Sequence, residues 1–127
     1  RQAGRDVSAQ SSSEIARPDR ETRRLLRLKP GEMVIITRRL RYVDGEPIVY
    51  QVNTTREALC PGLASEDFTS QSFQYTLETK YGVRIVEVEV SLECRRPTAE
   101  LAERLAISPD VPVLVDTRML YTTGGAI

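Results

Sequence analysis

MVIITRRLRYVDGEPIVYQV, residues 33–52, reads as two strands joined by a tight turn, because strand-forming stretches flank an Asp44-Gly45 pair. The loop length decides which side chains share a face. A two-residue loop at Asp44-Gly45 sets Arg41 opposite Ile48 and Arg39 opposite Tyr50, mixing guanidinium groups with apolar ones. A three-residue loop of Val43, Asp44 and Gly45, with Gly45 in the left-handed conformation of a bulge, pairs Tyr42 with Glu46 and shifts the register by one. That register puts Val34, Ile36, Leu40, Tyr42, Ile48, Tyr50 and Val52 on one face. Ile35, Thr37, Arg39, Arg41, Pro47, Val49 and Gln51 fall on the other. Arg38 interrupts the apolar face and needs a partner or an escape to solvent. Register follows the hydrophobic pattern wherever one face is buried, so the three-residue loop is expected. Arg39, Arg41 and Gln51 then share a polar surface suited to an anion.

The chain of 127 residues is long enough for one domain with a core and too short for two ordinary ones. Its 18 basic and 18 acidic side chains cancel, so the total charge does not ask for nucleic acid or an anionic membrane. No apolar run is long enough to span a bilayer and no secretory pattern is present, which together with only two cysteines, Cys60 and Cys94, points to the cytoplasm and to buried, reduced thiols. Histidine is absent, which removes imidazole acid–base chemistry and the usual zinc sites. No metal or cofactor is expected. The start at Arg1 and the stop soon after a turn signal suggest a fragment.

Residues 1–14 are polar and serine-rich; they are either linker or, over Val7 to Ile15, an edge strand whose Ser11, Ser12 and Ser13 offer hydroxyls, with Ser12 taken as a candidate contact. Pro18 suits the first turn of a helix running to about Leu28, with Leu25 and Leu28 as its apolar edge and Pro30-Gly31 as its stop. Arg56 to Leu59 suits a short helical turn before Pro61-Gly62. Ser72 is placed to cap a helix from Phe73 to Tyr81, with Phe73, Leu77 and Tyr81 on one stripe and Gly82 at its end.

Val83 to Cys94 alternates Val86, Val88, Val90 and Leu92 with Glu87, Glu89, Ser91 and Glu93, the pattern of an antiparallel strand with one wet face. Pro97 opens a helix through Ala106, and Val111 to Tyr121 supplies another strand with neither face uniformly polar, suited to a sheet interior or a subunit contact. Gly124-Gly125 announces a further hairpin, whose return strand is expected beyond Ile127. The fold class expected is α+β, a mainly antiparallel sheet flanked by short helices.

The ordered series Leu28 with Pro30-Gly31-Glu32, Arg39-Leu40-Arg41 with Asp44-Gly45-Glu46-Pro47, Pro61-Gly62-Leu63, Ser72 through Leu77 to Tyr81-Gly82, Ala102 to Ala106, and Pro112 to Tyr121 resembles the UTRA effector-binding domain of GntR-type bacterial transcription regulators, HutC subfamily. The resemblance implies a chorismate lyase-like fold over residues 15–127, with residues 1–14 leading from an N-terminal winged helix-turn-helix domain that lies outside these residues. It implies a homodimer, operator DNA bound through that other domain, and a small effector, often a phosphorylated sugar. Residue by residue it implies that Arg39, Arg41 and Ser72 contact the anionic or polar end of the ligand, with further pocket residues on the strand after Ile127.

Two positions depart from the family's amino-sugar phosphate binders: Gln51 stands where a glutamate is common, and Gln74 where a tyrosine is common. A glutamine both donates and accepts, so the partner atom on the ligand need not be the same. Against the pocket stands the plain alternative that Arg39 and Arg41 form surface ion pairs with glutamates such as Glu87 or Glu89. A lyase-like enzyme holding a carboxylate substrate and a ligand-free dimerisation module are the competing functions. No acid–base constellation can be placed by spacing, so an enzyme is not expected.

Overall fold

A two-residue turn closes the central hairpin, and the expected three-residue loop is not formed. Asp44 and Gly45 both take positive φ, 51° and 80°, as the twist-matched turn of a tight hairpin requires. The computed structural model describes residues 6–127. In it the hairpin strands are β2 (Val34–Val43) and β3 (Glu46–Arg56), preceded by β1 (Val7–Ala16) and α1 (Arg20–Leu26). Val43 pairs with Glu46 and Tyr42 with Pro47, then the register shifts and Arg41 pairs with Val49, leaving Ile48 as the extra residue of a bulge. The bulge cancels the parity set by the short turn. From there on Leu40 faces Tyr50 and Arg39 faces Gln51, so the two side-chain sets sort as expected by a different route.

Residues 7–16 form a strand, the edge-strand alternative for the serine-rich segment. The first sheet runs β1-β2-β3, all antiparallel. Arg38 finds its partner across the β1 edge, where Nη1 donates to Glu14 Oε2 at 2.7 Å. Pro18 lies outside the first helix, because Asp19 is the cap and accepts from the Thr22 N–H at 2.8 Å. Its buried edge is Leu26 and Leu28 while Leu25 stays exposed. Arg27 turns left-handed at φ 52° and the Leu28 N–H bonds back to the Arg23 carbonyl, which folds Leu28 under the helix end.

Single 3-10 turns at Glu57–Leu59 and Leu63–Ser65 lead to α2 (Phe73–Lys80), capped by the Ser72 hydroxyl. The second sheet holds β4 (Glu87–Arg95), β5 (Val113–Thr122) and β6 (Gly125–Ala126), with α3 (Ala99–Leu105) between β4 and β5 in the chain. Thr122 pairs with Gly125, so the final turn is Thr123-Gly124, one residue earlier than the glycine pair suggested. The strand expected from Val83 begins at Glu87; Val83 is buried instead, its N–H held by the Leu77 carbonyl.

Two clusters make the core. One gathers Ile35, Cys60, Leu63, Phe68, Leu77, Val83 and Ile127; the other packs Leu26 and Leu28 on Val34, with Ala16, Ile36, Met119 and Ala126 around them. Both faces of β2 are therefore covered at its first half. The polar face is not a wet one there: Ile35, Thr37 and Thr55 are buried on it. The Thr37 hydroxyl bonds to Ser13 at 3.0 Å, which makes that burial tolerable. Arg56 ties the layers together, donating to the Leu26 and Ala126 carbonyls and to Glu32.

Cys94 is exposed and Cys60 buried, so the expectation of two buried thiols holds for one of them only. No helix among the described residues is long and apolar enough to cross a membrane.

Candidate functional site

Residues directly opposite one another in antiparallel strands share a face. Three rungs therefore define the polar side of the first sheet: Ser13, Thr37 and Asn53; Ser11, Arg39 and Gln51; Ala9, Arg41 and Val49. Arg39, Arg41 and Gln51 are brought together on one face, next to the buried Thr37. Ser12 is not. It pairs with Arg38 and points to the opposite, solvent face, because a one-residue step along a strand reverses the side chain. Its neighbours Ser11 and Ser13 are the hydroxyls on the arginine side. Asn53, two residues beyond Gln51, completes that surface, and its parity with Gln51 was the available signal for it.

Arg39 is half-buried and Arg41 exposed. The Arg39 Nε is buried and has no hydrogen-bond partner. Burial first, and the neighbouring Arg41 charge second, push its guanidinium below the ordinary arginine value. Among the described residues neither Arg39 nor Arg41 has a carboxylate within ion-pair distance. The competing explanation in Glu87 and Glu89 fails on geometry: Glu89 accepts from the Tyr121 hydroxyl in the second sheet, and Glu87 sits opposite Tyr121 there. Two guanidinium groups thus share one face with no carboxylate to pair them. A charge held half out of water is stable only if something compensates it, and a planar fork is most readily satisfied by carboxylate or phosphate oxygens.

Ser72 and Gln74 lie on α2, which packs through Leu77 and Phe73 into the cluster that includes Ile35. The helix therefore packs at the Ile35 end of the face that carries the arginines. The Ser72 hydroxyl accepts from the Tyr75 N–H at 3.3 Å as a cap, which leaves its own proton available to a second partner. Gln74 donates to Glu78 at 3.1 Å along the exposed side of the helix and is occupied there. Two hollows lie elsewhere. One of about 260 Å³ is lined by Glu78, Gly82, Val83, Arg84 and Ile85, and the other of about 320 Å³ lies at the hairpin tip against Val43, Asp44, Glu46 and Ile48. The Leu63–Ser65 turn packs on β1 and β2 beside this face.

An antiparallel sheet backed by short helices in this order is the architecture of effector domains of GntR-type transcription regulators. The chain belongs to the UTRA domain family, which matches residues 3–127. It is similar to the ligand-binding domain assigned to a GntR-family transcriptional regulator of Bordetella bronchiseptica, with 26% identity, TM-score 0.82, and coverage of 92% of this chain and 78% of that one. The C-terminal domain of the histidine utilization repressor from Pseudomonas syringae pv. tomato superposes with TM-score 0.87 at 16% identity, over 95% of this chain and 85% of that one. PhnF from Mycobacterium smegmatis gives TM-score 0.81–0.82 at 19% identity, this chain covering 56% of the longer PhnF structure and 77% of its effector domain. No curated protein matches the chain.

Proposed function

We propose that this domain senses a small anionic or polar metabolite, of which a phosphorylated sugar is one example, on the face carrying Arg39 and Arg41. The observation that carries the proposal is the buried, unpartnered Arg39 Nε beside a second guanidinium with no carboxylate in reach. In this reading the two arginines hold the anionic end of the effector. Gln51 and the α2 cap Ser72 offer neutral donors to the rest of it, as the Ser11 hydroxyl and Asn53 can. Gln74 and Ser12 are peripheral, one engaged with Glu78 and the other on the opposite face.

The ligand is bound and released, not turned over, since the face offers donors without an acid–base pair set against them. The protein acts in the cytoplasm as a homodimer in which the effector domain, residues 15–127, biases operator binding by a fused winged helix-turn-helix domain. Such a bias requires different effector affinities for the DNA-competent and DNA-incompetent arrangements. The family membership and the fold shared with regulator effector domains support this reading. Calorimetric titration with inorganic phosphate and then with a panel of sugar phosphates and dicarboxylates tests it. Arg41→Ala is expected to weaken the best binder by about 2 kcal/mol, roughly 30-fold in Kd, through the loss of one charged partner. Unchanged affinity in that variant would remove the arginine face as the site.

A further inference from the structure

Four arginines stand along one side of α1. Arg20, Arg23 and Arg24 lie in the helix and Arg27 caps its end, a spacing of three and four residues that puts them on a single stripe, and all four are exposed. The other side of the helix carries Leu26 into the core. Arg17 before the helix and Lys29 after it are exposed as well. Residues 17–29 thus hold six basic side chains against two acidic ones, in a chain whose formal net charge is zero. The even balance of the whole conceals one strongly positive element.

Little in the protomer neutralises it. Arg24 is bonded to Glu21 at 2.6 Å in an exposed pair, which contributes little, and Asp19 is taken up by the Thr22 N–H as the cap. Among the described residues Arg17, Arg20, Arg23, Arg27 and Lys29 have no carboxylate within ion-pair distance. Nor does the helix gain from the arrangement. A cation is favoured in the last turn but opposed in the first, where Arg20 stands, and like charges three and four positions apart repel.

Shape, spacing and residue type together select the partner. The stripe is the outer surface of a helix, which gives a small anion no shelter but lets an extended polyanion meet every charge. From Arg20 to Arg27 the helix rises about 10 Å, at roughly 1.5 Å per residue. One strand of duplex DNA presents a phosphate every ~3.4 Å of axis, so about three phosphates fall within that span. Five of the six cations are arginines, whose planar forks match phosphate oxygens with two parallel bonds. Contacts of this kind go to the sugar-phosphate backbone and carry no sequence preference.

We infer, relying on the regulator reading only for bringing duplex DNA to the molecule, that the arginine stripe of α1 is a second, sequence-independent DNA contact, which binds the phosphate backbone of the duplex beside the operator. The stripe is separate from the effector face. α1 packs through Leu26 on Val34 and beside Ile36, whose side chains point away from the face that carries Arg39 and Arg41.

Fluorescence anisotropy of a labelled random-sequence duplex, titrated with the full-length regulator over a series of potassium chloride concentrations, reads the outcome. Replacing the stripe together as Arg20→Gln, Arg23→Gln and Arg27→Gln should reduce the slope of log K against log salt by about 2–3, at roughly 0.9 per lost phosphate contact, and weaken binding roughly 10-fold or more at about 0.1 M salt. The matching triple variant Arg20→Lys, Arg23→Lys and Arg27→Lys keeps the charges and should keep the slope. All three side chains are exposed, so both variants should retain their circular dichroism and a cooperative melt. A glutamine variant with the wild-type slope would overturn the inference, whether the stripe then meets an acidic protein or only solvent. Wild-type protein that binds no duplex at all would defeat the regulator reading along with it, whereas wild-type binding matched by the glutamine variant defeats the inference alone. Stabilisation by inorganic phosphate, which reports Arg39 and Arg41, should be the same in wild type and glutamine variant; its loss in the variant would assign the stripe to the effector site instead, against the inference.

Discussion

Replacing Arg39 by methionine should make the unliganded domain more stable while abolishing its response to anions. The side chain is half-buried and its Nε is enclosed without a partner. An unmet buried donor costs roughly 1–3 kcal/mol, and the lower end applies here because the rest of the guanidinium reaches solvent. Methionine is similar in length, flexible and uncharged, so the variant should gain about 1 kcal/mol. For a domain of this length that corresponds to a rise of about 4 °C in Tm. In the wild type, inorganic phosphate at ten times its Kd should add about 1.4 kcal/mol by mass action, roughly another 5 °C. Differential scanning calorimetry with and without phosphate measures both quantities in one experiment. A variant that melts below the wild type without anion, or that keeps the phosphate-induced shift, would refute the reasoning: the first result means that Arg39 is a structural residue, the second that the anion binds elsewhere.

Ser72→Ala should lower stability by about 1 kcal/mol in urea unfolding through loss of the α2 cap, with Ser72→Asn recovering it; a change confined to ligand affinity would show that the cap contributes nothing. Arg56→Met removes bonds to the Leu26 and Ala126 carbonyls and to Glu32 at once, and should cost about 2–3 kcal/mol because two carbonyls and a partly buried carboxylate lose their donor. Burial first, and then the Glu57 charge, push the Cys60 thiol up from 9.0 to about 11. A raised folded value favours the protonated form, so this contribution to stability is complete below pH 9 and is lost as pH rises through about 11. The fall in Tm between those pH values should be smaller in Cys60→Ala than in the wild type, and an identical fall would contradict it. In native protein Cys60 should resist a thiol reagent, whereas the exposed Cys94 should react.

The hairpin shows what a sequence of this kind discloses and what it withholds. The partition of Arg39, Arg41 and Gln51 from Leu40 and Tyr50 was legible, because hydrophobic alternation must survive in any stable register. How it survives was not: the three-residue loop and the two-residue turn with a bulge at Ile48 yield the same partition, and only the backbone distinguishes them. The α2 cap at Ser72 was likewise available from local chemistry, whereas the strand β1 was one of two readings that composition left open. Ser12 was misplaced for want of a register between β1 and β2, since a shift of one residue exchanges it with Ser11 or Ser13. Which face of the first sheet carries the core was also hidden. Polarity argued for a wet odd face, while the packed structure buries Thr37 and Thr55 there by satisfying Thr37 with Ser13. Pro18 yielded its place at the first helix to Asp19, whose carboxylate binds a free N–H that the proline ring cannot help.

The central claim is that Arg39 and Arg41 jointly receive an anion, and their side-chain N–H groups can be watched directly. Nitrogen–proton correlation spectra of the arginine Nε–Hε groups, recorded while inorganic phosphate is added, should show the Arg39 and Arg41 signals shifting together with one saturation curve and exchanging more slowly with water. Saturable shifts at other arginines with the Arg39 signal unmoved would contradict the account.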